Sequence, residues 1–134
     1  GKNGFLQYQF VLPMENGREG LTQILQKIAT SRKGSFLAVL KAFGKGNENL
    51  LSFPEEGYTL ALDFKWQADL LPFLDELDAI VTEYNGRHYL AKDARIGLEM
   101  FRKGYPNWQQ FRDVRRRYGA ENRFNSSQSL RLEL

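Results

Sequence analysis

The chain contains no cysteine and a single histidine, His88, among its 134 residues. The first absence excludes disulfides, thiolate metal sites and a cysteine nucleophile; the second excludes a histidine-rich metal site and leaves any triad dependent on one residue. No metal site is expected. No run of 18 apolar residues occurs and no secretory pattern opens the sequence, so neither a spanning helix nor a signal peptide is expected. No GxGxxG follows a strand, and Gly44-Lys45-Gly46 lacks the spacing that wraps phosphates. Charge of one sign is also scarce: the net charge of +3 is too mild to imply a nucleic-acid partner.

What is present describes an ordinary globular chain, 42% hydrophobic and 26% charged, with the length of one domain over 1–134. Leu6, Tyr8 and Phe10 alternate with Gln7 and Gln9, which predicts a strand over 5–12 with one polar face. A strand starting so early, after a glycine that could be a processing scar, suggests a piece of something longer. Leu21, Ile24, Leu25 and Ile28 predict a helix over 17–32 ended by Gly34. Strands follow at 35–43 and 58–64, joined by an irregular connector through Ser52-Phe53-Pro54 that reads as mobile. The stripe Leu70, Phe73, Leu74, Leu77, Ile80, Val81 predicts a helix over 69–84, stopped by Asn85-Gly86. A fourth strand is predicted over 87–92, then a short helix over 95–103 capped by Asp93, and another bearing Trp108, Phe111, Val114 and Tyr118 on one side.

The order β-α-β-β-α-β with C-terminal helices predicts an α+β fold, a ferredoxin-like split βαβ unit whose antiparallel sheet carries its helices on one face. Alternation assigns Leu6, Tyr8, Phe10, Phe36, Ala38, Leu40, Tyr58, Leu60, Leu62, Phe64, Tyr89 and Ala91 to the helix-covered face. The other face receives Gln7, Gln9, Leu37, Val39, Lys41, Phe43, Thr59, Ala61, Asp63, His88 and Lys92. Two amides, two lysines, an acid and an aromatic suit a ligand-facing surface, although antiparallel sheets routinely wet one side. Lys92, where a strand gives way to a helix, could reach a ligand or snorkel on the surface. Glu55-Glu56, Asp75-Glu76 and Arg115-Arg116-Arg117 read as solvated charge. An RNA-recognition motif shares the element order, but Tyr58–Phe64 lacks its aromatic octapeptide.

Several segments in register carry a resemblance: Leu6-Gln-Tyr-Gln-Phe-Val11, Ser35-Phe-Leu-Ala-Val-Leu-Lys-Ala-Phe-Gly44, Leu51-Ser-Phe-Pro54, Leu62-Asp-Phe64, Gly86-Arg87, Tyr89-Leu-Ala-Lys-Asp-Ala-Arg95 and Tyr105-Pro106. Together they resemble the C-terminal substrate-binding (cap) portion of FAD-dependent oxidoreductases of the vanillyl-alcohol-oxidase type, nearest the decaprenylphosphoryl-ribose oxidases and further from the sugar-lactone and alditol oxidases. The resemblance implies oxidation of a sugar-type hydroxyl to a carbonyl, on a free or lipid-linked sugar, with FAD bound by another domain of the same protein. The isolated chain would then be inactive and would self-associate through the face left uncovered. By position, Gln7, Gln9, Lys41 and Phe43 match substrate-side residues, and Lys92 matches the catalytic lysine that reaches flavin and substrate. Thr59 and Ala61 stand at substrate-side positions where those relatives carry asparagine and cysteine, which implies a different sugar or carrier. The implied location is cytoplasmic, or at the membrane surface through a lipid-linked substrate. A stand-alone ferredoxin-like module binding a ligand or RNA without flavin is the alternative.

Overall fold

The structure, a computed structural model, describes residues 2–134. Four strands form one antiparallel sheet in the order β2-β3-β1-β4: β1 (Phe5–Pro13), β2 (Ser35–Phe43), β3 (Gly57–Lys65) and β4 (Arg87–His88). The helices are α1 (Met14–Ser31), α2 (Leu70–Glu83), α3 (Leu98–Gly104), α4 (Trp108–Arg117) and α5 (Ser127–Arg131). The expected α+β split βαβ arrangement is the one observed.

The apolar stripes of α1 and α2 lie on β1 and β3, where Ile24, Leu74, Leu77 and Val81 meet Phe10, Leu12, Leu60, Leu62 and Phe64 in the main core. Removing that apolar surface from water is the principal gain in folding, roughly 25 cal/mol per Å². The predicted stop of α1 shifts by two residues, since Arg32 rather than Gly34 takes the left-handed cap at φ 59°. Asn85 adopts φ 56° after α2, as its place before glycine suggests. Gly86 then has to be glycine: a Cβ there would lie 2.5 Å from the Val11 carbonyl oxygen.

Three face assignments are corrected. No β2 side chain belongs to the main core; Leu40, paired with Leu60 on the helix side, remains 57% exposed because the helices sit over the two central strands. A register shift between Ser35 and Leu37 breaks the alternation at Phe36, which packs edge-to-face on Phe5 at 5.7 Å instead of entering the core. The fourth strand ends at His88, in register with Phe10 and buried against α2, while Tyr89 stacks on Phe53 at 4.5 Å. His88 therefore lies on the covered side, and Tyr89 leaves it.

A second core unites Ile96, Phe101, Tyr105 and Leu132, with Leu51, Leu90 and Trp108 against it. Residues 94–97 are turn and bend, so α3 starts at Leu98 rather than at residue 95. Arg115 is also corrected from a solvated charge: it is buried, its guanidinium donating to the Phe124 carbonyl at 2.6 Å and to Asn125 Oδ1 at 3.0 Å. No helix among the described residues is long and apolar enough to cross a membrane.

Candidate functional site

The face opposite α1 and α2 is laid out by the sheet register. Gln7 pairs with Asp63 and Asp63 with Leu37; Gln9 pairs with Ala61 and Ala61 with Val39; Val11 pairs with Thr59 and Thr59 with Lys41. Each row spans three strands, so Gln7, Gln9, Lys41, Thr59 and Ala61 share one face. Phe43 follows beside Gly57 at the end of β2.

Hydrogen bonding decides what these side chains still offer. Gln7 Nε2 donates to Asp63 Oδ1 at 3.2 Å, and Gln9 Nε2 donates to Thr59 Oγ1 at 3.1 Å. Each amide is thereby oriented, with its carbonyl oxygen left as an acceptor for a hydroxyl donor. Thr59 is only 1% exposed and its hydroxyl donates to the Phe10 carbonyl at 2.8 Å. It fixes Gln9 rather than presenting a free hydroxyl. Lys41 is exposed and Ala61 half-buried.

An aromatic wall closes one end. Phe43 meets Phe53 edge-to-face at 5.8 Å, and Phe53 stacks on Tyr89. Phe53 comes from the connector read as mobile, which Arg87 ties down by donating to the Ser52 carbonyl at 3.1 Å and pairing with Glu55. Burial pushes the Glu55 carboxyl up, against the attraction of Arg87. The roles of Phe53, Tyr89 and Arg87 were missed in the sequence, although each falls within or beside a segment that carries the resemblance.

Lys92 closes a 3-10 turn, Leu90–Lys92, beside β1. The turn is stitched to the sheet by the Tyr89 amide, which donates to the Gln9 carbonyl at 2.8 Å, and is closed by the Lys92 amide donating to Tyr89 at 2.9 Å. Among the described residues no carboxylate lies within salt-bridge distance of the half-buried Lys92. Asp93 faces away from that role: it accepts from the Arg95 and Ile96 amides, both at 2.8 Å, and from Arg131 at 2.6 Å. Burial works to raise its pKa, and these bonds outweigh it, holding the carboxyl below its usual range. Lys92 lines a half-open pocket together with Gln7, Gln9 and Tyr89. The structure thus joins the cation to the amides and the aromatic wall, while Lys41 sits across the sheet on its edge strand.

The fold and this face define a class: a ferredoxin-like α+β domain whose sheet leaves one side uncovered, polar and rimmed by aromatics. Residues 3–132 match the family described as D-arabinono-1,4-lactone oxidase, and the chain belongs to that family. It is 42% identical over all 134 residues to decaprenylphosphoryl-beta-D-ribose oxidase of Mycolicibacterium smegmatis, covering 29% of that protein. It is 34% identical over 115 residues, 85% of this chain and 31% of the relative, to a protein of Streptomyces coelicolor described as an uncharacterized protein in the mprA 5' region. The chain spans less than a third of the length of either relative.

Proposed function

We propose that this chain is the substrate-facing C-terminal part of an FAD-dependent oxidoreductase that converts a sugar-type hydroxyl to a carbonyl. The observation that carries the reading is the row geometry of the open face: two oriented amide carbonyls, an exposed ammonium and an unpaired Lys92 beside them, in a chain of this family. Family membership also weighs against a flavin-free binding module. FAD, bound mainly by a domain outside this chain, would supply the hydride acceptor. The residues present fit such a partner, because a half-buried cation without a carboxylate partner suits a neighbour on which negative charge develops.

The chain's own contribution is to bind and orient. Gln7 and Gln9 accept from sugar hydroxyls through their free carbonyl oxygens. Lys41 offers a point charge to a phosphate or a hydroxyl. Phe43, Phe53 and Tyr89 present apolar surface that excludes water, and Ala61, opposite Gln9, leaves room beside that amide. Lys92 stabilises charge that is greater in the transition state than in the ground state, the kind of interaction that raises turnover. By analogy with deleting an oxyanion donor, Lys92→Met in the full-length protein is expected to slow flavin reduction about 100- to 1000-fold. Anaerobic single-turnover mixing with substrate measures it, with flavin content and circular dichroism as controls. Reduction within about threefold of the parent rate would remove Lys92 from the mechanism.

A further inference from the structure

The open face of the sheet does not end with its polar rows. In the register, Phe5 pairs with Lys65 one row beyond Gln7 and Asp63, toward the end where β1 and β2 begin and β3 stops. Phe5, Phe36, Leu37 and Trp66 crowd that end, each more than a third exposed and none of them part of either core. Phe36 packs edge-to-face on Phe5, and the Trp66 amide donates to the Gly4 carbonyl at 3.1 Å, which sets Trp66 against the start of β1. Scattered apolar side chains on a surface are ordinary, whereas a contiguous group of them marks a contact surface. Cations surround this one. Lys2, Arg32 and Lys65 are exposed, and among the described residues no carboxylate lies within ion-pair distance of any of them. The acids at this end are already engaged: Asp69 pairs with Lys33 at 2.6 Å, and Asp63 is buried and takes the Gln7 amide.

We propose that this end of the sheet docks on an anionic phospholipid bilayer, with Phe5, Phe36 and Trp66 among the headgroups and Lys2, Arg32 and Lys65 on the phosphates. Aromatic rings beside long cationic side chains suit the boundary between headgroups and acyl chains: the rings enter it, and the ammonium and guanidinium groups reach the anionic layer. Charge complementarity selects this partner. Apposing the same end of a second copy would bring like charges together, and protein interfaces are depleted in lysine. Helix α4 is richer in arginine, but three of its four arginines are engaged. Arg115 is buried, Arg112 lies over the Trp108 ring at 5.2 Å, and Arg116 faces Asp113 and Glu121. Because Gln7 stands one row from Phe5, docking would hold the mouth of the open face at the bilayer surface.

Docking does not depend on the role of Lys92, and binding to vesicles tests it directly. The full-length protein, sedimented with vesicles of phosphatidylglycerol and phosphatidylcholine in equal parts, is expected to bind about tenfold or more tightly than to phosphatidylcholine alone, and to let go as salt rises. Arg32→Glu with Lys65→Glu and, separately, Phe5→Ser with Phe36→Ser are each expected to weaken binding about tenfold or more at an unchanged thermal midpoint. Tyr118→Ser with Phe124→Ser, at the exposed aromatics near α4, is expected to bind as the parent does. Should the serine variant at Phe5 and Phe36 fold poorly, the charge variant decides, since both of its positions are exposed. Equal binding to the two kinds of vesicle, or none to either, would overturn the proposal. So would loss of binding in the Tyr118 and Phe124 variant alone, which would move the contact to α4. A lowered thermal midpoint in the Phe5 and Phe36 variant with vesicle binding intact would also overturn it, because the rest of the protein would then be what covers this end.

Discussion

Asp78 shows how one side chain can hold several elements together. Its carboxylate takes the Tyr8 hydroxyl of β1 at 2.8 Å, faces His88 of β4 at 3.0 Å and takes the Arg95 guanidinium at 2.6 Å, all from α2. Burial alone would raise its pKa; the contacts with His88 and Arg95 prevail and hold it low. Tyr8 is pushed the other way, by burial first and by the Asp78 charge second. Removing one partner of such a cluster leaves the others desolvated and unpaired, which is costlier than losing the bonds themselves. Asp78→Ala is therefore expected to destabilise the chain by about 3–5 kcal/mol, read as a lower urea midpoint at unchanged slope. A loss below about 1 kcal/mol, the value of an exposed pair, would show that water already reaches the cluster.

Among the elements, α5 has an importance out of proportion to its five residues. Gln128 Nε2 donates to the Leu90 carbonyl at 2.6 Å, Arg131 reaches Asp93 and the Ile96 carbonyl, and Leu132 is fully buried beyond the helix. A reciprocal cap between Ser126 and Ser129 starts the helix. The C-terminal segment therefore clamps the turn that carries Lys92. Because the Asp93 pKa is lowered on folding, the clamp's stabilisation is complete above the unfolded carboxylate value of about 3.9 and fades as pH falls through the lower folded value. Arg131→Ala should loosen the turn at neutral pH, and acid should do so in the parent. Hydrogen exchange at the Lys92 and Ile96 amides follows both, and unchanged protection in Arg131→Ala would show that Gln128 suffices. None of this was legible in the sequence, where the tail from Arg123 reads only as polar residues followed by alternating leucines. Long helices declare themselves through a repeated 3.6-residue stripe, and α1 and α2 came out within three residues of their observed ends. His88–Ala91 offered only two cycles of alternation, too few to tell a two-residue strand with a turn from a full strand. That is why His88 and Tyr89 were assigned to each other's faces. Gln7 and Gln9 were read correctly as face-mates because β1 keeps its alternation over nine residues.

At the scale of the whole molecule, the sheet is covered unevenly. Two helices shield β1 and β3, the second core shields the β4 edge, and β2 is left bare along its outer edge and on both faces. Phe5, Phe36 and Leu37 on the open face are 54%, 65% and 52% exposed, and Leu40 on the other face adds to them. An uncapped edge strand flanked by exposed apolar side chains is a template for pairing with another chain. In a protein three times longer, of the size of the matched relatives, this is surface that the remaining sequence can cover. The chain alone has only copies of itself to use. Self-association at moderate concentration is expected, seen in sedimentation velocity as a weight-average mass that rises with loading. Phe36→Glu with Leu40→Lys should abolish it, because charges on an edge strand oppose strand addition. Both positions lie outside the core, so the thermal midpoint should change little. A strictly monomeric parent chain that binds no apolar dye would mean that β2 needs no cover. If the double variant still associates, attention would move to the other exposed aromatics, Tyr118 and Phe124 near the end of α4.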